Sequence, residues 1–331
     1  MTSSPNADAK VVFVHGVSQA VLEAITSLNP EGFTTVAVEG RTTPEEKQIE
    51  AVQDADFILW FSAKLSDRVL RSARKARLVQ GLSAGYDSIN LKLLRELNIP
   101  CANNGGANSW AVADHAVLAM LTLYRRLLAA DRSTREGRWR AAIDGTNTFE
   151  MANKVVGIMG FGNIGQKVAR RVQAFDATVQ YYDKFPLPPA RERELNARRV
   201  TLEELFRTSD IVTCHAPLTN DTRHVVNRER LATMKPTALL INTSRGEVVD
   251  EAALHAALRD KRIAGAGLDV FEQEPVDPAN PLLKLDNVVV SPHSAGTTWD
   301  TWFRRAEFAY GNMKRVWAGE KPQAVAQDYD T

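Results

Sequence analysis

Cysteine is scarce in this chain. Its 331 residues include two, Cys101 and Cys214, far apart and outside any CxxC or CxxH pattern. That excludes a disulfide framework and a cysteine-based zinc site, and no metal is expected. Two reduced thiols fit a cytoplasmic setting. Charge of one sign is missing as well: Lys plus Arg number 41 and Asp plus Glu 40. Such a balance offers no large field to draw nucleic acid or an anionic membrane surface, and neither is an expected partner. No uninterrupted apolar run approaches about 18 residues, which excludes a membrane-spanning helix. Met1 to Lys10 is polar and lacks the apolar core of a secretion signal. There is no repeat at solenoid periods and no low-complexity tract.

What remains is an ordinary globular composition, 44% hydrophobic and 24% charged. The chain exceeds the roughly 250–300 residues at which one core stops growing, so two domains are expected. Short β-branched runs recur at Lys10–Val14, Thr34–Val38, Asp56–Phe61 and Leu78–Leu82, with a helical stretch at Ser18–Leu28. Strands alternating with helices imply parallel βαβ units. The turn-rich Asn103–Asn108 marks a boundary. A long apolar helix is expected over Ser109–Leu128, with Ser109 as its cap and arginines in its last turn. Its apolar residues cover more than one face, which suggests a subunit contact.

The strand pattern then restarts. Six strands are expected, at Val155–Met159, Thr178–Tyr182, Ile211–His215, Ala238–Asn242, Gly265–Asp269 and Asn287–Ser291. Six is the number a full dinucleotide-binding sheet needs. An amphipathic tail, Thr297–Gly319, is placed to pack back on the first domain.

The sharpest local signal is Gly160-Phe161-Gly162-Asn163-Ile164-Gly165, between a clean strand and a helix. Gly160 permits the turn, Gly162 lets backbone approach a pyrophosphate, and Gly165 lets helix and strand pack closely. The helix start, with Asn163 and Ile164, offers N–H groups to phosphate. Eighteen residues after Gly165, Asp183 ends the next strand, where a carboxylate accepts from ribose hydroxyls and repels a 2′-phosphate. NAD is therefore expected over NADP, although the neighbouring Lys184 partly offsets that charge.

Three apolar strands run into polar turns: Ile241–Gly246, Gly267–Pro275 and Ser291–Gly296. Reduction of a 2-oxo acid needs a cation to orient a carboxylate, which arginine does with a planar fork. It needs a proton donor, which histidine supplies near neutral pH, and a carboxylate partner steadies that histidine. Arg245, His293 and a glutamate meet these needs. A lone Arg at a strand end also reads as a surface ion pair, a lone His as a structural one, and spacing does not choose between Glu272 and Glu274.

From about Ala107 to Gly296 the chain resembles the D-isomer-specific 2-hydroxyacid dehydrogenases. The resemblance rests on GFGNIG, HAPLT (His215–Thr219), NTSRGEVVDEAAL, AGLDVFEQEP and SPHSAG, in that order. It implies two doubly wound α/β domains: a Rossmann-like nucleotide domain, 108–296, inserted in a flavodoxin-like substrate domain, 1–107 plus 297–331. The active site would lie in the cleft between them and the dimer contact would run through helix 109–128.

The resemblance also implies residue roles. Arg245, Glu274 and His293 match the catalytic positions, and Glu272 becomes a bystander. Asp269 and the Pro217 region flank the nicotinamide. His215 and Thr243 stand at strand ends on the cofactor side. Ser83, Ala84 and Gly85 receive the substrate carboxylate through backbone N–H groups.

Departures from relatives narrow the reading. Phosphite-oxidising relatives carry Lys where Ala84 stands, formate dehydrogenases carry Gln at Glu274, and 3-phosphoglycerate dehydrogenases use an Arg near Trp60. Trp60 and Phe61 suggest a less polar substrate side chain, unless both rings belong to the core strand. Lys64 is near enough in sequence to meet a polar group, and Trp299 or Trp302 is a candidate to restrict the cleft. His15, His115 and His255 read as packing or surface residues. The competing class is an NAD(H)-sensing corepressor, some of which keep the same fold and triad.

Overall fold

The structure, a computed structural model, describes residues 8–326, so most of the polar stretch Met1–Lys10 lies outside it. The chain divides into two compact units. One is built from residues up to Asn108 together with those from Thr297 on, the other from Ser109–Gly296.

The first unit opens with β1 (Ala9–His15), α1 (Gln19–Thr26), β2 (Phe33–Glu39), α2 (Glu45–Val52), β3 (Phe57–Phe61), α3 (Asp67–Ser72), β4 (Leu78–Gly81), α4 (Leu91–Glu96) and β5 (Cys101–Ala102). The sheet is wholly parallel, ordered β2-β1-β3-β4-β5. Strands buried on both faces read as continuous apolar runs, which is why AKVVFVH and FILWF stand out in the sequence. The two-residue β5 does not stand out, being too short to show a pattern.

The second unit contains α5 (Ser109–Tyr124), α6 (Leu127–Arg135), β6 (Val155–Met159), α7 (Asn163–Gln173), β7 (Thr178–Tyr182), α8 (Pro189–Glu194), β8 (Ala197–Arg199), α9 (Leu202–Thr208), β9 (Ile211–Cys214), α10 (Arg228–Thr233), β10 (Leu239–Asn242), α11 (Glu251–Arg259), β11 (Gly265–Leu268) and β12 (Val288–Val290). Its parallel sheet is ordered β12-β11-β10-β9-β6-β7-β8. From β8 to β11 this is the doubly wound order 3-2-1-4-5-6, with β12 added at the far edge. There are seven strands where the sequence suggested six. The extra one is β8, whose three residues, ARR, sit at the sheet edge with both arginines exposed. An edge strand with charged side chains carries no apolar run to read.

The expected helix over 109–128 also needs correction. It stops at Tyr124, Arg126 takes a left-handed φ of 49°, and α6 starts afresh. Leu123 still packs beside Gly265 and Gly267 of β11. Beyond that support Leu127 and Leu128 are exposed, and the Tyr124 carbonyl is taken by the Phe149 N–H. The arginines thus leave the helix rather than closing its last turn.

The chain returns to the first unit with α12 (Trp299–Trp317), opened by a Thr298–Thr301 capping box. Ala306, Ala309 and Met313 are fully buried against Phe13, Phe57 and Leu59. Buried Asn312 donates to Gln80 Oε1 of β4, and Gln80 in turn donates to the Gly81 and Asn103 carbonyls. These bonds satisfy two buried amides that would otherwise be costly.

Candidate active site

The glycine turn leaves β6 at its carboxyl end, beside β9, where the strand order reverses. Gly160 has φ 90°, and a Cβ there would lie 2.4 Å from the Ala216 amide. A Cβ on Gly165 would lie 2.3 Å from the Gly160 carbonyl, so α7 starts against the turn itself. Gly162 differs: nothing lies within 4 Å of the place its Cβ would take. Its bareness serves space outside the chain, which is what a close-approaching pyrophosphate requires. No hydrogen bond among the described residues engages the Asn163 and Ile164 N–H groups, as expected for a first helical turn.

Asp183 accepts the Phe161 N–H at 2.6 Å through Oδ2 and the Phe185 N–H at 2.8 Å through Oδ1. The carboxylate is thereby fixed beside the glycine turn, with lone pairs left over. Lys184 reaches Asp221 instead, at 2.7 Å. His215 follows β9. Burial drives its imidazole down to about 3, so it is neutral, and its ring lies between the Thr213 hydroxyl at 2.9 Å and the Thr243 hydroxyl at 3.3 Å. The Pro217 carbonyl accepts the Thr222 hydroxyl and closes the following loop.

In the first unit, Ser83, Ala84 and Gly85 follow β4. All three carbonyls are occupied: by the Asn104 N–H at 3.0 Å, the Asn103 amide at 3.1 Å and the Ser83 hydroxyl at 2.8 Å. Among the described residues, no acceptor engages their three N–H groups. Amides left without an acceptor in a turn are the groups that an anion-binding nest uses.

Trp60, on sequence a candidate for contact with the substrate side chain or for the core strand, belongs to the core. It is 5% exposed, lies in the core with Val14 and Leu65, and its indole N–H is spent on the Ala63 carbonyl. Phe61 meets Trp302 edge-on at 4.9 Å, and Trp302 is equally buried. Trp299 and Lys64 are exposed.

Arg245 stands three residues after β10. Its turn is shaped by Asn242, 1% exposed, whose Oδ1 accepts the Ser244 N–H and hydroxyl and whose Nδ2 donates to the Arg245 carbonyl at 2.8 Å. Gly246 comes next, and a Cβ there would fall 1.9 Å from the Phe271 carbonyl carbon. That contact sets the Arg245 turn against the turn carrying Glu274. The sequence held a clue in each case, a buried Asn closing an apolar strand and a glycine after Arg, but not the partner. Gly246→Ala must push two backbones apart. We expect a loss of about 3 kcal/mol, hence a Tm lower by about 6–12 °C by calorimetry. A Tm within about 2 °C of wild type would show that the close approach is not needed.

Glu274 and His293 meet directly: Oε2 lies 2.6 Å from Nδ1. Glu274 Oε1 also accepts the Phe271 N–H at 3.1 Å. Burial opposes the charge of Glu274, but the bond and charge of His293, the Phe271 N–H and Arg245 outweigh it, leaving the carboxyl below the usual glutamate range. Glu272 goes to His224 at 3.0 Å and does not join the group. His293 has φ 51°, a 49% exposed side chain, and no hydrogen bond on Nε2 among the described residues. With Nδ1 held by the carboxylate, Nε2 is the nitrogen left for proton exchange.

Asp269 is 2% exposed and its carboxylate is taken up within the unit, by the Ser291 hydroxyl and the Ser294 and Ala295 N–H groups. His115 joins the same set through Ser291.

A glycine turn of this form and an Arg–Glu–His group at the carboxyl ends of one parallel sheet define a nicotinamide-dependent oxidoreductase. Residues 117–295 match the family model described as D-isomer specific 2-hydroxyacid dehydrogenase, NAD binding domain. The chain is 39% identical over 310 residues to a glyoxylate reductase of Korarchaeum cryptofilum, covering 92% of this chain and 93% of that one. Among solved structures it resembles a protein from Thermus thermophilus with a TM-score of 0.83 and 31% identity, over 96% of this chain and 100% of that one. It also resembles an NADPH-dependent glyoxylate/hydroxypyruvate reductase from Sinorhizobium meliloti, solved with NADP and malonate. There the TM-score is 0.81 and the identity 28%, over 97% of each chain. The protein belongs to the D-isomer specific 2-hydroxyacid dehydrogenase family.

Proposed function

We propose that this enzyme reduces a small 2-oxo acid of the glyoxylate type, with NADH preferred to NADPH and with D stereochemistry wherever the product has a stereocentre. The observation that carries the proposal is the His293–Glu274 pair beside Arg245: a proton donor held at one nitrogen and open at the other, next to a guanidinium. When bound, the dihydronicotinamide supplies the hydride. Gly160, Gly162 and Gly165 shape its cradle, and the Asn163 and Ile164 amides meet the pyrophosphate. Asp183 selects a ribose with a free 2′-hydroxyl. Neutral His215, Thr243, Pro217 and Asp269 form the wall toward the nicotinamide half.

Arg245 holds the substrate carboxylate, and in the first unit the amides of Ser83, Ala84 and Gly85 are the groups suited to an anion. His293 gives the carbonyl oxygen its proton from Nε2, and Glu274 fixes the ring through Nδ1. The first unit is thus the substrate domain and the second the nucleotide domain. Trp110 and Leu118, 48% and 56% exposed on α5, support a homodimer contact along that helix. No helix among the described residues is long and apolar enough to cross a membrane, and with two buried free thiols the proposed setting is the cytoplasm.

The test follows NADH absorbance with glyoxylate, hydroxypyruvate, pyruvate, oxaloacetate and branched and aromatic 2-oxo acids, with NADPH in parallel. Glyoxylate or hydroxypyruvate should be reduced fastest, and NADH should exceed NADPH by about tenfold in kcat/KM, the effect of ~1.4 kcal/mol of carboxylate–phosphate repulsion. Silence across the panel with tight NADH binding would replace this reading with a nucleotide-sensing one.

A further inference from the structure

The hydrogen bonds around Asp269 continue beyond the reacting groups to α5. That helix lies close on β11 because β11 reads Gly-Ala-Gly-Leu: a Cβ on Gly267 would come 2.9 Å from the Ala119 methyl, and one on Gly265 3.3 Å from Leu123. His115, one turn before Ala119, therefore sits over the carboxyl end of β11, where Asp269 follows. His115 Nε2 is 2.8 Å from the Ser291 oxygen, and the Ser291 hydroxyl is 2.5 Å from Asp269 Oδ1. A carboxylate only accepts, so the single serine proton is spent on Asp269. Ser291 must then accept from His115, whose Nε2 carries a proton.

Asp269 gathers the rest of the loop. Oδ1 takes the Ser294 N–H and Oδ2 the Ala295 N–H, each at 2.9 Å, while its carbonyl takes the His293 N–H at 2.7 Å. Segment 291–295 is thus wrapped around one buried carboxylate, with His293 inside it at a left-handed φ of 51°. His115 also stands 3.8 Å from Asp269 Oδ1. A donor on Ser291 polarises its hydroxyl and strengthens the bond onward to Asp269.

We propose that His115 is a positioning residue for the reaction: through Ser291 and Asp269 it fixes the loop that aims His293. The catalytic consequence rests on the reading of His293 as proton donor; the mechanical one does not. His115→Leu removes the donor, whereas His115→Gln places an amide N–H at similar reach. Two readouts apply: hydrogen exchange of the Ser294 and Ala295 amides, and kcat, KM and NADH binding with glyoxylate. His115→Leu should speed that exchange and lower kcat, each by about tenfold, the size of one lost hydrogen bond. KM and the NADH Kd should stay within about twofold. His115→Gln should restore both quantities to within about threefold of wild type. His115→Leu added to Ser291→Ala should cost no more than Ser291→Ala alone, because both cut the same chain.

Wild-type exchange in His115→Leu would overturn the proposal, as would a His115→Gln variant as impaired as His115→Leu. If the wild-type enzyme does not turn glyoxylate over, the proposed function fails while the exchange measurement still decides the positioning role.

Discussion

Replacing Arg245 with alanine should lower kcat/KM for glyoxylate by about 10³-fold, ~4 kcal/mol, while the NADH Kd stays within about twofold. The guanidinium stands three residues beyond β10, on a turn organised by buried Asn242 and pressed against Phe271 through Gly246. Alanine removes the head group and its bond to the Ser244 carbonyl, and leaves the Asn242 bonds of that turn in place. What disappears is the cation proposed to hold the substrate carboxylate, and with it the orientation of the carbonyl. Lysine at this position should recover only part of the loss, because an ammonium is a point charge without a planar fork. Steady-state kinetics with parallel NADH fluorescence titration separate the two effects. An alanine variant within tenfold of wild type would remove Arg245 from the reaction.

His293→Gln should lower kcat by about 10³-fold, within the range a positioned general acid supplies. Glutamine retains a hydrogen bond to Glu274 but has no proton to give near neutral pH. Glu274 stays ionised well into the acid range because its partners outweigh its burial. The variant keeps the bond to Glu274 and loses the charge of His293 together with the transferable proton. Stopped-flow single turnover measures the chemical step directly. A variant with an unchanged single-turnover rate would show that the proton comes from elsewhere.

The sequence made the site legible unevenly, for reasons tied to particular residues. The glycine turn was plain because each glycine answers a distinct local demand, two to close contacts within the chain and Gly162 to open space. Glu272 and Glu274 were equal candidates on spacing. The difference is that the chain returns Glu274 Oε2 to His293 and sends Glu272 to His224. Trp60 misled because an apolar residue near a strand end looks the same whether it closes a core or lines a site, and here its indole is covered and its N–H bonded. His115 read as a helix packing residue, since its partner Ser291 lies 176 residues away.

The sequence by itself determined the strand–helix alternation, the nucleotide turn, the three polar loops and the family they resemble. Those features are written in local periodicity and in residue types that serve one purpose. Only the tertiary structure decided which glutamate meets the histidine, where the long apolar helix ends, that a charged edge strand completes the sheet, and that His115 reaches Ser291. Each of these depends on which distant backbone lies alongside, and that is set by packing: by glycines in β11 that admit a helix, by Gly246 that admits another loop, and by a sheet that stops supporting α5 after Leu123.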